Sequence, residues 1–147
     1  MNRNIRIRTA LSAAMFVLAS GAACAQASTA PEQKVTAAGV AYVSGGVGNA
    51  QQQAMKEAMK DYDLRMTFAR QQTGSYLASV KVTIDRVDGR QAGTLVLDTV
   101  SSGPMLFVKL PDGKYDVRAE VDGQVQTRAV SLRHGQAQDL VIHFPPK

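Results

Sequence analysis

The sequence predicts a mainly β protein: a Greek-key β-sandwich of about seven strands, with one amphipathic α-helix near the N-terminus. Three observations carry that expectation. From Gly103 to Val121 an apolar run, a Pro111-Asp112-Gly113 turn and a strictly alternating segment follow one another, with Tyr115, Val117, Ala119 and Val121 on one face and Lys114, Asp116, Arg118 and Glu120 on the other. A period of two marks a half-buried antiparallel strand. Similar short segments recur between Leu64 and Phe144 at roughly ten-residue spacing, the rhythm of a sandwich rather than a parallel α/β sheet. The one stretch of helical period, about residues 49–61, precedes them.

The first 25 residues read as a cleaved secretory signal. Arg3, Arg6 and Arg8 form a basic start, Ala10 to Ala19 an apolar middle, and Ala23-Cys24-Ala25 the small-residue site that signal peptidase cuts. The apolar run is too short to span a membrane, so the expected location is the periplasm or the surrounding medium. Cys24 offers a rival reading as a lipid-attachment cysteine. Gly21 argues against it, standing where a lipoprotein signal carries Leu. Cleavage after Ala25 leaves no cysteine, hence no disulfide and no thiol nucleophile. The chain holds 17 Lys and Arg against 12 Asp and Glu. Three of those arginines belong to the signal, so residues 26–147 carry only a small positive excess. No basic stripe with interleaved aromatics remains to hold nucleic acid.

Residues 26–34 are small and polar and read as a flexible tail, which places a single domain over 35–147. Val40-Ala41-Tyr42-Val43 make a first strand that Ser44 to Gly48 interrupt. Asn49 stands where a helix N-cap belongs, and good helix formers follow it. Ala54, Met55, Ala58, Met59 and Tyr62 recur at helical spacing as one apolar stripe. Leu64, Met66 and Phe68 then restore the period of two. The turn Gln71 to Gly74 leads into a long alternating strand through Tyr76, Ala78, Val80, Val82 and Ile84, and Asp88-Gly89 turns it into Thr94 to Thr99. Asp122-Gly123 and His134-Gly135 supply the later turns, before Gln124 to Leu132 and Leu140 to Phe144. The uncharged run Pro104 to Val108 is core if its strand is central, and would invite strand addition if it lay at an edge.

Residues Tyr76 to Ile84, the turn at Asp88-Gly89-Arg90, the segment Leu110-Pro111-Asp112-Gly113-Lys114-Tyr115-Asp116-Val117 and Gly123 together resemble the carboxypeptidase regulatory-like, or transthyretin-like, sandwich module. Tyr42 to Gly48, the helix and Gly103-Pro104-Met105-Leu106 are similar to small exported proteobacterial proteins of that class. The resemblance covers about two-thirds of the mature chain. It implies a Greek-key sandwich of the transthyretin-like or immunoglobulin-like kind, and it is specific for fold rather than function. Pro111, Gly113 and Tyr115 take structural roles in this reading: proline presets a turn, glycine supplies a positive φ, and tyrosine bonds back to the upstream backbone as in a tyrosine corner.

Candidate chemistry is sparse. Gly45, Gly46 and Gly48 with Asn49, just before the helix, form the one candidate ligand site, because helix-terminal amides attract anions and glycines let a ligand approach the backbone. No Lys-Ser or Lys-Thr follows, so this is not a P-loop. His134 and His143 are the only histidines. Met55 and Met59, one helical turn apart, suit a soft copper ion, yet they lie on the stripe destined for packing. Ser101-Ser102-Gly103 lacks a nucleophile elbow, and Asp61 and Asp63 sit at a junction where acids cap or solvate. The transthyretin-like class includes 5-hydroxyisourate hydrolases, whose "tyrosine, arginine, glycine, serine" tail is missing here: the chain ends His143-Phe144-Pro145-Pro146-Lys147. The leading expectation is an exported, non-catalytic sandwich acting through protein–protein or envelope contacts, without cofactor or metal. The alternatives are a small-ligand or carbohydrate-binding periplasmic module, and a periplasmic metal-binding protein using Met55, Met59 and a histidine.

Overall fold

Side chains buried at every second position build two sheets around a shared core. The computed structural model describes residues 30–147, so the expected signal segment and Cys24 lie outside the described residues. In chain order the elements are β1 (Gln33–Val35), β2 (Ala41–Gly45), α1 (Gly48–Ala58), β3 (Leu64–Arg70), β4 (Lys81–Arg86), β5 (Thr94–Val100), β6 (Met105–Val108), β7 (Gly113–Val121), β8 (Gln124–Leu132) and β9 (Gln138–Phe144). One sheet runs β1-β2-β6-β3-β9 and the other β5-β4-β7-β8. Leu64, Met66 and Phe68 of β3, Val82 and Ile84 of β4, Tyr115, Val117 and Ala119 of β7, and Ile142 and Phe144 of β9 fill the space between them. The described residues form a β-sandwich with one α-helix.

The helix covers the outer face of the first sheet. Met55 is fully buried in a second cluster with Val43, Tyr62 and Phe107, and Ala58, Met59 and Met105 pack around it. The apolar stripe therefore serves packing, and β6 is covered on both faces. Strand β6 lies between β2 and β3. The uncharged run is thus a central strand and offers no edge to a partner.

Several expectations change. Among the described residues there are nine strands rather than about seven, and the tail is shorter than expected, because Gln33 and Lys34 pair with Val43 and Tyr42. A tight turn closed by the Thr36 carbonyl and hydroxyl makes that hairpin, too short and polar to show a period. The long strand expected from Tyr76 begins only at Lys81. Residues 75–77 stay on the end of β3, with Leu77 N–H donating to the Phe68 carbonyl at 3.0 Å, and the chain then crosses to the other sheet through Ser79 at φ +57°. Tyr76, expected in the core or a corner, is consequently 59% exposed. Strand β9 joins β3 in parallel, the one parallel pair among the described strands.

The turn between β7 and β8 is pinned electrostatically. Arg70 donates to the Asp122 carboxylate, and Lys147 lies 3.5 Å from it. The hydrogen bond from Arg70, with Lys147 adding to it, holds the Asp122 carboxyl below its ordinary value of 3.8. A lowered carboxyl pKa stabilises the fold above the unfolded value, and that contribution is lost as pH falls through the folded one. Asp122→Asn, which keeps a residue tolerant of the positive φ found here, is expected to weaken the fold near neutrality and to flatten its loss of stability below pH 3.8. Urea unfolding at a series of acidic pH values checks both effects.

Candidate functional site

Three segments converge at the end of β2. Lys34 pairs opposite Tyr42, so Lys34, Tyr42 and Ser44 share one face of the hairpin and Glu32 continues it. Thr99, Val100 and Ser102, from the end of β5 and the loop after it, close the opposite side, and Gly45, Gly46, Val47, Gln51 and Met55 close a third. They enclose a cavity of about 390 Å³ that also reaches Ala30 and Pro31. That volume lies within the small-molecule range, toward its lower end.

The walls are held by hydrogen bonds across long sequence separations. Ser102 N–H donates to Ser44 Oγ at 2.8 Å, and the Tyr42 and Thr99 hydroxyls pair at 3.2 Å. Thr36 Oγ1 donates to the Val96 carbonyl at 3.1 Å and ties the β1–β2 hairpin to β5. Gly46 has φ +96°, and a Cβ there would meet Met105 Cγ at 3.1 Å. Gly45 and Gly46 are buried and line the cavity. Gly48 and Asn49 are exposed and lie outside it. The helix cap also differs from expectation: it is Val47, with no side-chain cap bond, and Asn49 lies inside the helix. Gln51 reaches back instead, its Oε1 accepting from Val47 N–H at 3.1 Å across four residues, one position later than in a capping box. The cavity touches α1 through Gln51 and Met55 and not through its first-turn amides, so its chemistry is that of hydroxyls with one ammonium and one carboxylate at the rim, not that of a helix terminus. Those hydroxyls, at Tyr42, Ser44, Thr99 and Ser102, had no motif to announce them.

The other candidate residues have structural work. Ser101 is buried, and its Oγ accepts from Val80 N–H at 3.1 Å, which joins the two ends of the β4–β5 hairpin. The Asp63 carbonyl accepts from Gln138 N–H at 2.7 Å. Among the described residues no three His, Cys, Asp or Glu side chains gather as for a metal ion. Tyr115 OH donates to the Pro111 carbonyl at 2.8 Å, which makes a tyrosine corner. Arg86 braces it, donating to Tyr115 OH at 3.1 Å, to the Asp112 carbonyl at 2.9 Å and to Asp88 Oδ1 at 3.0 Å. Gly113, at φ +153°, leaves the room that the guanidinium occupies, since a Cβ would fall 2.6 Å from Arg86 Nη2. Burial pushes the Tyr115 hydroxyl above its ordinary value of 10.0, with Arg86 opposing, so it stays a neutral donor.

No family model and no curated protein matches the chain. Among solved structures it is similar to the 5-hydroxyisourate hydrolase of Klebsiella pneumoniae, with a TM-score of 0.44 and 16% identity over 57% of this chain and 90% of that one. A likeness of that degree transfers neither chemistry nor residues to this chain.

Proposed function

We propose that the protein is an exported, non-catalytic binding module, and that the cavity at the end of β2 receives a small polar ligand. One observation carries this reading: four hydroxyls from β2, β5 and the following loop border a single cavity that Gly45 and Gly46 also line. Glu32 and Lys34, which form no ion pair among the described residues, supply one charge of each sign at its rim. Hydroxyls without a positioned base or nucleophile favour binding over turnover. Glycans are poorer candidates than small hydrogen-bonding solutes, because among the described residues Tyr42 is the cavity's one aromatic and its hydroxyl is already engaged.

Amide NMR spectra recorded against pooled amino acids, glycans, anionic metabolites and divalent or copper ions test the proposal. Shifts clustering on Lys34, Ser44 to Val47 and Ser102 support it. A spectrum that moves nowhere in the cavity overturns it in favour of a partner protein or envelope surface, for which the exposed Leu95 of β5 and Tyr76 are the first places to look. Ser102→Leu is expected to weaken the hit compound at least tenfold with little change in stability, since the fold uses the Ser102 amide and not its hydroxyl. Calorimetric titration and thermal unfolding of that variant check the two halves.

A further inference from the structure

Strand β8 breaks the alternation that builds the rest of the sandwich. Its core-facing positions are the even-numbered ones. Val130 and Leu132 are buried there, yet Gln124, Gln126 and Arg128 continue the same face while Val125 points outward, 41% exposed. Polar residues continuing the inner face of a sandwich need a reason, even where, as at Arg128, the side chain is exposed. Gln124 has one, accepting from Arg70 Nη1 at 3.4 Å. Gln126 and Arg128 border a cleft of about 590 Å³ completed by Gln71, His143 and Pro145. Strands β8 and β9 are the terminal strands of the two sheets, so the cleft lies where the sheets part along one flank.

Among the described residues its lining holds no carboxylate and is rich in N–H donors. Arg128 Nη1 donates to the Thr127 carbonyl at 2.9 Å and to Gln126 Oε1 at 3.4 Å. These bonds to its own strand orient the exposed guanidinium, and its Nη2 has no partner among the described residues. We propose that this flank cleft binds the phosphate or carboxylate group of a small soluble molecule, with Arg128 as anchor and His143, Gln71 and Gln126 as further donors. A guanidinium fork beside neutral amide donors suits an oxyanion, because charge-assisted bonds exceed neutral ones and the fork matches carboxylate and phosphate geometry bidentately. The site is separate from the cavity at the end of β2 and stands or falls independently of it.

A charged residue facing inward on an edge strand also guards against edge-to-edge pairing, and the test separates the two roles. The full protein is titrated with inorganic phosphate and, separately, with acetate, at ionic strength held constant with sodium chloride, while amide NMR is recorded. Saturable shifts confined to Gln71, Gln126, Arg128 and His143 are expected in the millimolar range, and the stronger arm identifies the anion class. Arg128→Ala is expected to weaken the response about tenfold and His143→Ala to weaken it less. Arg133→Ala, in the neighbouring turn and outside the lining, leaves it unchanged. Shifts that never saturate, or that persist undiminished in both Arg128→Ala and His143→Ala, overturn the proposal. So does self-association of Arg128→Ala in sedimentation when the parent protein shows no saturable response, which would make Arg128 an edge guard.

Discussion

Gly103→Ala is expected to destabilise the protein by about 3 kcal/mol, the upper end for overpacking. A Cβ at this position falls onto the Gly45 carbonyl, so the obstacle is backbone and not the tip of a flexible side chain. Neither side can yield readily. Gly45 is paired with Met105 across β2 and β6, and the Pro104 carbonyl accepts from Phe68 N–H at 2.9 Å. A loss of that size is a large share of a typical domain's total stability and lowers the thermal midpoint by about 10 °C. Gly45→Ala is the control, because its Cβ would meet Gln51 Oε1 at an ordinary 3.5 Å and should change stability by less than about 1 kcal/mol. Denaturant unfolding of both variants checks the contrast. Equal losses would mean that the approach of Gly103 to β2 is looser than the geometry requires.

Tyr115→Ala is expected to cost about 4 kcal/mol, as truncations of large buried aromatics do. Tyr115 is fully buried in the shared core and carries the corner bond to Pro111. Tyr115→Phe separates the two contributions. It keeps the ring but strips the Pro111 carbonyl of its donor and Arg86 of an acceptor, and should cost about 1.5 kcal/mol for groups left partly unpaired. The pH dependence gives a second check. A tyrosine whose folded pKa is raised stabilises the fold in its neutral form. That contribution is complete below pH 10.0 and is lost as pH rises through the folded value. Tyr62 is raised by burial in the same way, with Asp61 adding to the effect. Tyr115→Phe should therefore reduce the alkaline loss of stability without abolishing it. A variant indistinguishable from the parent in urea, at neutral and alkaline pH alike, would mean that the corner hydrogen bonds contribute nothing net.

Features carried by neighbouring residues were legible from the residues alone. The alternation from Tyr115 to Val121, the apolar stripe from Ala54 to Tyr62 and the turns at Asp112-Gly113 and Asp122-Gly123 all depend on spacing within one segment. Period and turn chemistry reveal such features without any partner. The kink at Ser79 was not legible, because Tyr76 to Ile84 alternates as though it were one strand. Only the bonds from residues 75–77 to β3 and from Ser101 to Val80 show that it serves two sheets in turn. Gln51 displaced Asn49 in shaping the start of α1 because a long carboxamide can reach back a full turn, which a rule of position overlooks.

The candidate site divides along the same line. Gly45 and Gly46 could be singled out because a glycine cluster before a helix is a local signal. Tyr42 and Thr99 meet across 57 residues, and Ser44 and Ser102 across 58. No periodicity joins residues so far apart; the stacking of one sheet's edge on the other's brings them together. The sequence by itself determined that this chain is a mainly β sandwich with one packed helix, since each strand announces which of its faces must be buried. The tertiary structure alone decided that β6 is central, that β9 runs parallel to β3, and that β8 turns polar side chains into an open flank. Those outcomes depend on which strand lies beside which, and strand pairing is set by the simultaneous burial of many distant faces, for which no single segment carries a signal.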